Sequence, residues 1–195
     1  MSTIAIILTS VIMAVVIGLP TGIAMSRSDR TEKIVTPILD VMQTMPPFVY
    51  LIPIVMLMGI GKIPGLISVV IYAIPPLIRL TNLGIREVDQ EALEAADAFG
   101  ATKRQKLFEV QLPLALPTIF AGINQTIMMA LAMVIIASMI GVKGLGQPVL
   151  QSIYNQYFTK GVLYGLAIVI VAIVFDRVSQ SYGKRIQKHR SGKLI

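Results

Sequence analysis

Apolar residues in this chain run in long blocks separated by short polar stretches, with little strand-like alternation. Residues 1–26 carry no Asp, Glu, Lys or Arg, and neither do residues 110–142. A run of about 20 apolar residues spans a bilayer as a helix. Five blocks are long enough, at roughly 3–25, 35–58, 63–81, 115–140 and 160–178. The pattern predicts an all-α polytopic membrane protein with five transmembrane helices, organised as one transmembrane domain over residues 1–195. The fifth block is the shortest, with only 161–175 free of charge. At about 1.5 Å per residue that core reaches about 22 Å, short of a hydrocarbon layer of roughly 30 Å. It is expected to draw in Phe158 and Val178 and to let Lys160 and Arg177 snorkel.

Composition agrees with the blocks. Hydrophobic residues make up 55% of the chain and charged residues 14%, where a soluble domain averages about 25% charged. That excludes a disordered chain and argues against an ordinary cytosolic enzyme. With no Cys there is no thiolate nucleophile and no Cys metal site. The one His, His189, lies in a basic tail without a nearby co-ligand, so no metal site and no catalytic residues are expected.

The net charge of +7 is better explained by topology than by nucleic acid, and no nucleic-acid partner is expected. Fourteen of the seventeen Lys and Arg residues fall in the 26–34 loop, the 79–114 segment and the tail from 177. Lys62, Lys143 and Lys160 lie on the other side. Basic residues stay cytoplasmic, which predicts the N-terminus outside and the C-terminus inside. A signal peptide carries its charge before the apolar run. Here Arg27, Arg30 and Lys33 follow it, so residues 1–26 are read as a membrane helix. No long extramembrane domain and no internal repeat are expected. The basic stretch from Lys184 to Lys193 is read as a simple topology anchor, with contact to anionic lipid as the alternative.

The cytoplasmic segment of about 83–113 opens with five of the ten acids: Glu87, Asp89, Glu91, Glu94 and Asp97. Helix formers surround them, and acids favour a helix start. Gly100 suits the left-handed position that closes a helix. Thr102 followed by Gln105 reads as a capping box. The prediction is two short helices broken at Gly100, the second ending before Pro113. On spacing alone a solvated amphipathic loop fits as well.

The pattern Glu94-Ala95-Ala96, three residues, Gly100, nine residues, then Val110-x-Leu112-Pro113 resembles the EAA loop of permease subunits of binding-protein-dependent ABC importers. Every fixed position fits. Two further stretches resemble the permeases for quaternary ammonium osmolytes such as glycine betaine, proline betaine, choline and carnitine, more than those for methionine, phosphonate or maltose. One runs from Leu39 to Pro53, the other from Gln111 to Gln147. The resemblance covers nearly the whole chain and corresponds to a five-helix permease core. It implies a bacterial or archaeal cytoplasmic membrane and a second permease copy or paralogue. It also implies two cytoplasmic ATPases that bind ATP and Mg, and an extracytoplasmic substrate-binding protein. This chain itself would hold no cofactor. Glu94, Ala95, Ala96, Gly100, Leu112 and Pro113 would form the loop that docks in the ATPase. Small alanines allow close approach and Glu94 offers a carboxylate for a charge-assisted bond. Amino acids or other small solutes are the alternative cargo, and a non-transporting membrane subunit is a third reading.

Polar groups within the spans are candidates for the substrate path. Asp40 either lines the path, pairs with Arg79 or sits as an interfacial cap. Gln43, Thr44 and Asn124 either face a polar path or hydrogen-bond between helices, and Gln125 is assigned to the second role. Met45, Phe48 and Tyr50 offer soft and aromatic faces of the kind that hold quaternary ammonium groups; packing is the alternative. Pro46, Pro47 and Pro53 are expected to break the second span, and Pro75 and Pro76 the third. Gly18-x-x-x-Gly22 and Gly161-x-x-x-Gly165 are assigned to helix packing. Gly59-Ile60-Gly61-Lys62 lacks the spacing of a phosphate loop.

Overall fold

The computed structural model describes residues 2–191, helical over almost all of that length and without a strand among the described residues. In chain order the helices are α1 (Ser2–Arg27), α2 (Asp29–Thr44), α3 (Pro47–Met58), α4 (Lys62–Arg86), α5 (Gln90–Ala98), α6 (Lys103–Gln105), α7 (Leu112–Ala137), α8 (Gly146–Tyr154) and α9 (Phe158–Ser191). A π-helical turn, Lys106–Gln111, joins α6 to α7. Four stretches are long and apolar enough to cross a membrane: Thr3–Arg27, Lys62–Arg86, Lys103–Ile140 and Phe158–Ser181. α2 and α3, bent by 99°, make a fifth if the pair is one broken span and a re-entrant loop otherwise. Four of the five predicted blocks are therefore present as continuous helices, and the second is bent.

The breaks fall differently from expectation. Met45 is extended, with φ −71° and ψ 131°, because a residue before proline is pushed out of the helical region. Pro47 then opens α3, where a missing N–H costs nothing. Pro53, expected as a further break, lies within α3. Pro75 and Pro76 also fail to break their span: both are fully buried inside α4, which continues to Arg86. In a membrane bundle, neighbouring helices hold such a segment together. Pro113 is a third correction. The second helix of the 83–113 segment continues through it into α7, because the π turn shifts the hydrogen-bond register just before the proline.

α4 lies at the centre of the bundle, packed by α1 on one side and α7 on the other. Small residues bring the backbones together. A Cβ at Gly84 would stand 2.8 Å from Thr118 Cβ on α7. The largest buried cluster joins Ile7 of α1, Tyr50 and Leu51 of α3, Val69 of α4 and Met133 and Val134 of α7. α9 packs along α7 with many apolar side chains outward, as a lipid-facing helix does. It extends past Arg177, and the stretch long enough to cross, Phe158–Ser181, takes in Lys160, Asp176 and Arg177 at its ends. α8 was not expected; it follows the glycine-rich turn 141–146 and packs on α9. Lys193 and the side chains of Lys184, Arg185, Lys188, His189 and Arg190 lie outside the described residues.

Candidate functional site

The 83–113 segment forms as local chemistry dictates. The Asp89 side chain accepts from Glu91 N at 3.0 Å and starts α5. α5 closes in a Schellman arrangement: Ala101 N donates to Ala96 O at 3.0 Å and Gly100 N to Asp97 O at 2.9 Å. Gly100 has φ +73°, the conformation that only glycine adopts without strain. Thr102 and Gln105 close the capping box: Gln105 N donates to Thr102 Oγ1 at 3.3 Å and Thr102 N donates to Gln105 Oε1 at 2.9 Å.

α5 is held from below and behind. Leu93 packs against Ile85, Val88 and Leu107, and Lys106 pairs with Asp97. The opposite face is open. Glu94, Ala95 and Gly100 are exposed, Ala96 is half-buried, and Phe99 is 92% exposed. Leu112 and Pro113 are half-buried at the root of α7. The motif thus separates into an outward part, Glu94 to Gly100, and a packed part, Leu112–Pro113. Phe99, one residue before Gly100, is an apolar feature that the motif spacing did not single out.

The polar residues of the spans divide. Asp40 on α2 forms an ion pair with Arg79 on α4, the pairing alternative among its three roles, and both side chains remain substantially exposed. Gln43 is exposed. Thr44 is exposed and donates to its own helix at Val41 O, 3.0 Å. Met45 is half-buried at the bend. Phe48 is 50% exposed, with Leu51, Ile52, Met56 and Met139 lining an apolar groove beside it. Tyr50 points inward: it is 7% exposed, donates to Met42 O, and meets Tyr72 edge-on at 5.6 Å between centroids. Of the two aromatic candidates, only Phe48 is presented on the surface.

Asn124 bridges helices, donating to Asp176 Oδ1 of α9 at 2.8 Å, and Gln180 donates to the same carboxylate. Its neighbour Gln125, which was assigned to that role, is exposed and makes no side-chain hydrogen bond among the described residues. One residue of helix is a rotation of about 100°, enough to carry one amide into the bundle and the next out of it. Asp176 was missed as a polar partner because its charge only marked the edge of a short span.

Residues 4–188 match the family model described as binding-protein-dependent transport system inner membrane component. The chain belongs to this family. Within the family it is 55% identical over 184 residues to the glycine betaine/proline betaine transport system permease protein ProW of Salmonella typhimurium, covering 94% of this chain and 52% of that protein. It is 54% identical over 183 residues to the glycine betaine/carnitine transport permease protein GbuB of Listeria monocytogenes, covering 94% of this chain and 65% of that protein. The chain thus spans about half the length of ProW and under two thirds of GbuB. A chain of the MetNI methionine ABC transporter, solved in inward-facing conformations, superposes with a TM-score of 0.84 at 22% identity, over 95% of this chain and 93% of that one. That likeness carries the fold. This is a multi-pass membrane protein with the helical architecture of an ABC importer permease.

Proposed function

We propose that this chain is the permease subunit of an ABC importer for glycine betaine or a closely related quaternary ammonium osmolyte. The observation that carries the reading is the 55% identity to ProW over 94% of the chain. Two copies, or one copy with a paralogue, would enclose the path. Two cytoplasmic ATPases would bind ATP and Mg, and an extracytoplasmic protein would deliver cargo. In the mechanism, docking outside and ATP-driven closure inside bias one two-state path.

Glu94, Ala95, Ala96 and Gly100 act in this reading as the docking face for the ATPase. Support comes from the exposure of that face above a capped, buttressed helix. Gln43, Thr44 and Phe48 act as path residues beside the α2–α3 bend. They are exposed polar and aromatic groups within a span, and polar groups in a membrane face a cavity or another helix. Asp40 and Asn124 act one step back, through Arg79 and Asp176.

Reconstituted with its ATPases and binding protein, the chain is expected to take up labelled glycine betaine only when ATP is present. Uptake of an amino acid but of no betaine would overturn the cargo assignment. The N-out, C-in orientation has its own check, made simple by the absence of native Cys. Cysteines placed at Arg30 and Glu91 should react with an impermeant thiol reagent only in inverted vesicles, and one at Lys62 only in right-side-out vesicles. The reverse pattern would invert the topology.

A further inference from the structure

Arg86 ends α4, four positions before α5 begins, and its guanidinium gathers three chain segments. Nη2 donates to Met25 O at the end of α1, 3.0 Å away, and to Asp29 Oδ1 at the start of α2, 2.7 Å away. The same nitrogen lies 3.0 Å from Glu32 Oε2. Nε donates to Asn82 Oδ1 at 3.1 Å, and Asn82 Nδ2 donates to Glu32 Oε1 at 2.7 Å. Arg86, Glu32 and Asn82 therefore form a closed triangle in which each side chain contacts the other two.

A planar guanidinium fixes direction as well as charge, and charge-assisted bonds are the stronger ones. Asn82 is buried, and the side chains of Arg86 and Glu32 are 32% and 33% exposed. Asp29 is 79% exposed and adds little. A second tie lies beyond α5, where Arg27 Nη1 donates to Lys103 O at 3.2 Å. The α1–α2 corner is thus bonded to the chain on both sides of the cytoplasmic helix.

We propose that the Arg86–Glu32–Asn82 triangle is a rigid joint that locks α2 to the end of α4 and, with the Arg27–Lys103 bond, holds the α1–α2 corner to both ends of α5, so that a displacement of α5 reaches the bend at Met45–Pro46. The inference rests on the coupling role given to α5 above and assigns three positioning residues to it. Arg86 otherwise reads as a topology charge, but a topology charge needs no partner on two other helices.

The test uses the full complex in nanodiscs, with spin labels at Lys33→Cys on α2 and Gln90→Cys on α5. In the parent the interspin distance should be the same with and without ATP. In Arg86→Gln, and in the milder Glu32→Gln, ATP should shift or broaden it, and solute moved per ATP hydrolysed should fall by about tenfold, within the usual range of coupling effects. A parental distance that changes with ATP would overturn the joint. So would variants that lose ATPase and transport together with an unchanged distance, which is the mark of a purely structural role. A parent that takes up no betaine would instead sink the cargo reading, and the distances would still report on the joint.

Discussion

Glu94→Lys is expected to abolish most ATP-driven uptake while leaving the chain folded and inserted. The residue is exposed on α5 and makes no ion pair among the described residues, so its replacement removes no internal support. Surface substitutions of this kind change stability by no more than about 0.5 kcal/mol. The effect falls on the partner. Reversing a charge that meets a complementary surface exchanges a charge-assisted bond for a like-charge contact, at a cost of several kcal/mol. Two to three kcal/mol corresponds to roughly thirty- to 150-fold in a coupling equilibrium. The measurement is uptake in proteoliposomes together with the thermal midpoint of the purified complex. Parental uptake would end the coupling role of Glu94. A large fall in the midpoint would show that Glu94 holds the fold instead. Ala95→Leu, on the same exposed face, should show a similar split, because bulk there obstructs close approach.

The 83–113 segment was legible in the sequence because its structure is local. Asp89, Gly100, Thr102 and Gln105 each cap a helix end within three or four residues, and cap chemistry needs no tertiary context. The α2–α3 break was legible at Pro46–Pro47 for the same reason, although its angle was not. Tertiary packing decided the rest. Pro75 and Pro76 would end a soluble helix, yet α4 runs through them between two close neighbours. Asn124 and Gln125 read alike as intramembrane amides, and only the rotation of α7 against α9 separates them. Arg86 was visible only as one basic residue among seventeen, because its partners Met25, Asp29 and Glu32 lie more than fifty positions away. α8 gave too short a pattern beside its glycines to stand out.

The two small-residue pairs, identical in spacing, should respond differently to substitution. A Cβ built at Gly22 would lie 2.6 Å from Thr81 Cβ and 2.8 Å from Ile78 O. The carbonyl belongs to the α4 backbone and cannot rotate away, and Thr81 is fully buried with no room to yield. Gly22→Ala must therefore push α1 off α4, and Gly22→Leu must do so further. Overpacking of this kind costs about 1–3 kcal/mol, which for a chain of this size lowers Tm by roughly 2–10 °C. Gly165, in the second pair, has nothing within 4 Å of a built Cβ, so Gly165→Ala should leave Tm unchanged. Thr81→Gly should rescue Gly22→Ala only in part, because the Ile78 carbonyl stays where it is. Thermal unfolding of the four variants in one detergent decides the matter: equal midpoints for Gly22→Ala and Gly165→Ala would show that the α1–α4 contact is looser than the distances imply.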